Sequence, residues 1–167
     1  MSVFRSKKGF TLIELLIVMA ITIITVGGTG LYLFNFKSAN ELDVDAESIV
    51  GALRDAQQRS INQEETARWG IRFTNQSGEQ YYELVKIFSG GGFGGIDVVM
   101  AVSKKALNNA LLFADPAGGQ KTISFEKITG VPHEPVGEAT AAVEINGSNP
   151  PQKKTITVNQ HGVITIQ

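Results

Sequence analysis

"KKGFTLIELLIVMAIT", Lys7 to Thr22, decides how the rest of the chain is read. Its puzzle is Glu14, an acid between Leu12-Ile13 and Leu15-Leu16 in one of the most apolar runs of the sequence. A carboxylate at bilayer depth costs about 2.5–3.5 kcal/mol on insertion scales and is there for a reason. From Phe10 to Phe36, 27 residues, Glu14 is the only side chain charged at neutral pH. About 20 residues suffice to span a bilayer as a helix. Arg5, Lys7 and Lys8 precede the run, and no acid precedes Glu14. That bias predicts an N-terminus held in the cytoplasm.

Three readings fit such a segment. One is an ordinary signal anchor. Another is a secretory signal peptide cut near Gly28-Thr29-Gly30. The third is a leader cut on the cytoplasmic side of the run, between Gly9 and Phe10. A secretory apolar core is about 7–15 residues, shorter than this one. Neither of the first two has a use for the acid. Cleavage after Gly9 frees an α-amine on Phe10, four residues from Glu14, as a natural counter-charge. If such helices pack side by side with a stagger, Glu14 of one subunit meets the Phe10 amine of the next. A lone buried charge is costly, so the pair favours only the correct register.

Lys7-Lys8-Gly9-Phe10-Thr11-Leu12-Ile13-Glu14 resembles the prepilin signal of the type IV pilin superfamily, which comprises type IV pilins and the pseudopilins of type II secretion. In that family a membrane aspartyl peptidase cuts after the glycine and N-methylates the new N-terminus. The resemblance implies cleavage between Gly9 and Phe10, methylation of Phe10, and an assembly role for Glu14. It also implies other pilin or pseudopilin subunits and an inner-membrane assembly platform as partners.

The remaining composition fits a single body behind an anchor. The chain has 167 residues and a net charge of −1, which argues against a general nucleic-acid binder. It has no cysteine, so it has no disulfide framework, thiolate metal site or cysteine nucleophile. Gly27, Gly28 and Gly30 lie late in the apolar run, where they permit either close helix packing or a hinge. Beyond Lys37, Leu42, Ala46, Ile49, Leu53, Ala56 and Ser60 recur at helical spacing. Glu41, Asp45, Arg54, Asp55 and Arg59 mark the opposite face. No proline precedes Pro116, so one helix from about Thr11 to Asn62, about 80 Å long, is expected.

From Arg68 the alternation becomes that of strands. Strands are expected over 68–74, 81–88, 96–102, 110–114, 121–128, 140–145, 154–158 and 162–166. Asn75–Gln80 reads as a hairpin connection, Ser89–Gly95 as a flexible loop, and Thr129–Ala139 as a long loop. Asn159-Gln160-His161 should turn the last pair, with Gly162 at positive φ. A helix on an antiparallel sheet is an α+β fold. The expected divisions are a leader 1–9, a transmembrane or filament-core helix 10–36, its amphipathic half 37–64, and a β-rich body 65–167 outside the cytoplasm. Ile49–Phe73 and Ile156–Ile166 resemble GspH/FimT minor pseudopilins. The C-terminal cysteine pair of many type IV pilins is missing.

Other chemistry is thin. His133 and His161 lie in a predicted loop and a predicted turn without metal-ligand spacing, and read as solvated. Gly90–Gly95 precedes a strand, not the helix a dinucleotide site needs. Gly118–Thr122 lacks the upstream glycine of a phosphate loop. Asp97 and Asp115 belong to no run of oxygen ligands for calcium. Neither a cofactor nor an enzymatic activity is expected. Lys104-Lys105, Lys121, Lys127 and Lys153-Lys154 carry the alternative reading, a DNA-contacting patch of a competence-type minor pilin. A major pilin is a further alternative, and a plain anchored domain a third.

Overall fold

The computed structural model describes residues 10–76, 78–90, 97–135 and 137–145, and 151–167, without the side chains of 27–38 and 145. The chain forms two compact units, Met1–Lys37 and Ser38–Gln167. One helix, α1 (Leu12–Ile61), contributes to both.

In the first unit, Thr11 caps the helix. Its Oγ1 accepts the Glu14 N–H at 3.3 Å, and its carbonyl accepts the Leu15 N–H at 3.2 Å. This serves N–H groups that would otherwise lack a partner at the helix start. From Phe10 to Val26 every described side chain is exposed, including Leu12, Ile13, Leu16, Ile17, Ile23 and Ile24. Among the described residues no helix is long and apolar enough to cross a membrane. The described apolar side chains stop at Val26, and the rest of the expected 10–36 span lies outside them.

In the second unit the amphipathic stripe behaves as its spacing requires. Leu42, Ala46, Ile49, Leu53, Ala56 and Ser60 are all buried. A short 3-10 turn (Glu64–Thr66) leads, among the described residues, into nine strands: β1 Arg68–Gln76, β2 Glu79–Phe88, β3 Val98–Ala106, β4 Leu111–Asp115, β5 Gly119–Phe125, β6 Pro132–Glu134, β7 Ala139–Ile145, β8 Lys153–Val158 and β9 Ile164–Ile166. All described pairings are antiparallel, so the body is α+β as expected. The strands divide between two sheets, ordered β3-β2-β1-β5-β6 and β4-β7-β8-β9. The core lies among the helix stripe, Trp69, Ile71, Phe73, Ile123 and Phe125 of the first sheet, and Ala141, Val143, Ile156 and Val158 of the second.

Several boundaries move. Gln76 pairs with Glu79, so the first hairpin is tighter than Asn75–Gln80, and Gly78 takes φ +87°. The expected strand at 96–102 runs instead from Val98 to Ala106. The loop expected over 129–139 contains β6, which pairs with β5. Gly162 does adopt positive φ (+80°), and its N–H closes the last hairpin onto the Asn159 carbonyl at 2.8 Å.

Polar side chains tie the sheets together at two places. Gln57 Nε2 donates to the carbonyls of Gly130 (2.7 Å) and Gly162 (2.8 Å), joining the β5–β6 and β8–β9 turns to the helix. A Cβ at Gly162 would lie 2.5 Å from the Gly130 carbonyl oxygen, so the approach requires glycine. Elsewhere, Asn75 Nδ2 donates to the carbonyls of Phe113 and Pro116, both at 2.8 Å. Ser60 explains its place in the apolar stripe: its Oγ accepts the Trp69 N–H at 2.7 Å and docks β1 onto the helix end.

Candidate functional site

The expected site residues occupy the start of α1. Gly9 lies outside the described residues, and Phe10 is exposed ahead of the first helical turn. Glu14 stands in that turn, with an exposed side chain and its N–H on Thr11. An acid there is favoured by the partial positive charge of the helix N-terminus. Thr11 was missed by the sequence reading. Its signal is Thr-x-x-Glu, the spacing of a capping box. Glu14 therefore has a local role at the helix start that is compatible with a partner from another subunit. Gly27, Gly28 and Gly30 lie within the unbroken helix, and the side chains around them are outside the described set.

A second polar cluster was also illegible in sequence. Arg68, nine-tenths buried on β1, donates to the Asp97 carboxylate and, at 2.6 Å, to His133 Nε2. Arginine has only donors, so Nε2 is the acceptor and Nδ1 carries the proton, donated to Glu126. His133 is thus a strand residue with both ring nitrogens engaged, in place of the solvated loop histidine expected. Asp97, His133 and Glu134 place ligand atoms within 4.8 Å of one another, close enough to hold a metal ion. The Arg68 guanidinium already supplies positive charge to that group. It occupies both Asp97 and the His133 lone pair, so the donor set does not fit a second cation. His161 sits exposed in the last hairpin turn, as expected.

The lysines of the suggested DNA patch are dispersed. Lys104 and Lys105 lie on β3 of one sheet, Lys153 and Lys154 on β8 of the other. Lys105 donates to Ser48 Oγ at 2.6 Å, Lys121 to Asp115 at 2.7 Å, Lys127 to the Thr66 carbonyl at 3.1 Å, and Lys154 lies 3.2 Å from Asp43. Asp115 is likewise taken up by Lys121 and the Thr140 hydroxyl. Gly118–Thr122 opens strand β5 with no helix behind it, so it cradles no phosphate.

Residues 4–30 match the family model described as the prokaryotic N-terminal methylation motif. No curated protein matches the chain. Among solved structures it is similar to the type IV minor pilin FimU of Pseudomonas aeruginosa (strain PAO1), at 17% identity and a TM-score of 0.48, over 75% of this chain and 92% of that one. What the chain shares with a known family is thus its N-terminal methylation motif, over residues 4–30.

Proposed function

We propose that the chain is a minor pseudopilin or minor pilin, a structural subunit of a type II secretion pseudopilus or a type IV pilus. The observation that carries this reading is the methylation motif at residues 4–30, with Glu14 in the first turn of a helix whose described apolar side chains have no cover. Prepilin peptidase removes residues 1–9 and methylates Phe10. The Phe10–Phe36 segment anchors the subunit in the inner membrane, with the N-terminus cytoplasmic and the β-rich body outside. On assembly the same segment enters the filament core. There the Glu14 carboxylate meets the Phe10 amine of a neighbour, and the mispaired register leaves two charges buried alone. The glycines at 27, 28 and 30 loosen the helix where it passes between neighbours. The reading assigns the chain a structural role and no catalytic one.

The test is the N-terminus of the protein recovered from cells expressing a prepilin peptidase, by intact mass and peptide sequencing. A chain beginning at N-methylated Phe10 is expected. A chain still beginning at Met1 beside active peptidase, or one cut near Gly30, overturns the reading. Glu14→Ala should leave membrane anchoring intact and abolish incorporation into filaments, read by shearing and immunodetection.

A further inference from the structure

Strand β3 is built unlike the other strands of its sheet. It is the edge of the five-stranded sheet, paired only to β2 among the described residues. It is long, nine residues, and every one of them is exposed. Val98, Val99, Met100 and Val102 are between 41% and 55% exposed. Successive residues of a strand face opposite sides, so both faces of this edge are apolar and open. A long apolar edge is a template for another strand, and proteins normally blunt it with charge or distortion. Here the blunting is confined to one end. A bulge leaves Val102 as the extra residue between the pairs Val85–Ala101 and Leu84–Ser103, and Lys104 and Lys105 follow it. The stretch from Val98 to Ala101 has no such protection.

We propose that β3 is a docking edge for an extended segment of another polypeptide, which adds to the sheet as a sixth, antiparallel strand. The chemistry of the edge selects that occupant. Its outer row of N–H and C=O groups is satisfied by an extended backbone and left unpaired by a helix. Val98 to Val102 ask for apolar or β-branched residues opposite them, on both faces. The end at Lys104 and Lys105 asks for carboxylates. Lys104 lies over the Tyr81 ring, 3.5 Å from its centroid, and 3.6 Å from Glu79, with the Lys104 and Glu79 side chains more than half exposed, so the ion pair contributes little and the ammonium stays within reach of an incoming anion from solvent. That end also opens on a cleft of about 440 Å³ lined by Tyr81, Lys104, Leu107, Asn108 and Leu112 among others, which has room for the acidic end of the segment. A second copy paired antiparallel would set its apolar Val98–Met100 stretch opposite Lys104 and Lys105, where the edge asks for carboxylates. The proposal does not depend on the filament reading, since it concerns the body alone.

The probe is the fluorescent peptide acetyl-Asp-Glu-Thr-Val-Thr-Val-Thr-Val-amide, titrated by anisotropy against the full chain in detergent micelles. Hydrogen exchange is read by mass spectrometry on the same samples. Saturable binding is expected, with slowed exchange confined to residues 98–106. The same peptide with alternate backbone nitrogens methylated loses ladder donors and should bind at least about tenfold more weakly. Replacing its acids by lysines should weaken it further than salt alone does. Met100→Lys should weaken binding to a similar degree, and Val163→Lys, in the exposed last turn, should not. Unchanged exchange over 98–106 at saturating peptide overturns the proposal, as does equal binding of the methylated peptide, which would mean apolar adhesion only. Concentration-dependent protection of 98–106 without peptide would assign the edge to a second copy and also overturn it. None of these outcomes bears on the cleavage site, which N-terminal sequencing reads separately.

Discussion

The two halves of α1 share one backbone and contrast in everything their side chains touch. From Leu12 to Val26 the helix is apolar on nearly all sides, and its described side chains are exposed. From Leu42 to Ser60 it is apolar on one stripe, and that stripe is buried. A helix hydrophobic all round belongs in a lipid or protein surround, while a striped one belongs against its own domain. The second half thus completes its packing within the chain. The described side chains of the first half stay exposed. On the proposed function, half of the helix is a folding element and half an assembly element.

That contrast can be broken most directly in the buried stripe. Leu53 is fully buried, so Leu53→Ala should cost about 2–5 kcal/mol, from lost transfer energy plus a residual cavity. Leu16→Ala, on the exposed half, should move the same transition by less than about 0.5 kcal/mol. Trp69, the one tryptophan, is buried in the core and reports denaturant unfolding of the body in both variants. Equal losses would mean that the two halves share one folding unit.

A smaller effect is expected at the tie between the sheets. Gln57→Ala removes both donors from the Gly130 and Gly162 carbonyls and should cost about 1–3 kcal/mol on the same transition. Hydrogen exchange should then rise in the turns at 126–132 and 159–163 before it rises in β1. Uniform change across the body would show that Gln57 only fills space.

One effect carries the opposite sign. Ile128 has φ +71°, a conformation a β-branched residue rarely adopts, and its side chain is exposed. Ile128→Gly should stabilise the body by about 1 kcal/mol, through relief of that strain. Destabilisation would instead give the isoleucine an apolar contact worth more than the strain.

Much of the fold was legible because periodicity records which face of an element is buried. The stripe from Leu42 to Ser60 and the alternation of Trp69, Ile71 and Phe73 are examples, and both are buried as their spacing requires. Turn chemistry was legible where one residue type answers one backbone demand, as at Gly162. Glu14 stands out in the sequence for a related reason. An acid in an apolar run is costly, so its presence is informative by itself. Thr11 leaves a fainter mark, its Thr-x-x-Glu spacing to Glu14, which carries no cost that would make it stand out.

What the sequence alone determined, then, is a basic stretch ahead of an apolar run, one long helix with two characters, and an antiparallel body behind it, and it singles out Gly9, Phe10 and Glu14 as the proposed place of function. Only the tertiary structure decided how the strands divide between two sheets, that Gln57 and Asn75 tie those sheets, and that Arg68 gathers Asp97 and His133 from segments far apart in the chain. It also decided that Val98–Ala106 is an edge. Periodicity tells an element which face to bury, but it does not say against what. Neighbours are set by long-range pairing, which leaves no local mark on the residues that take part.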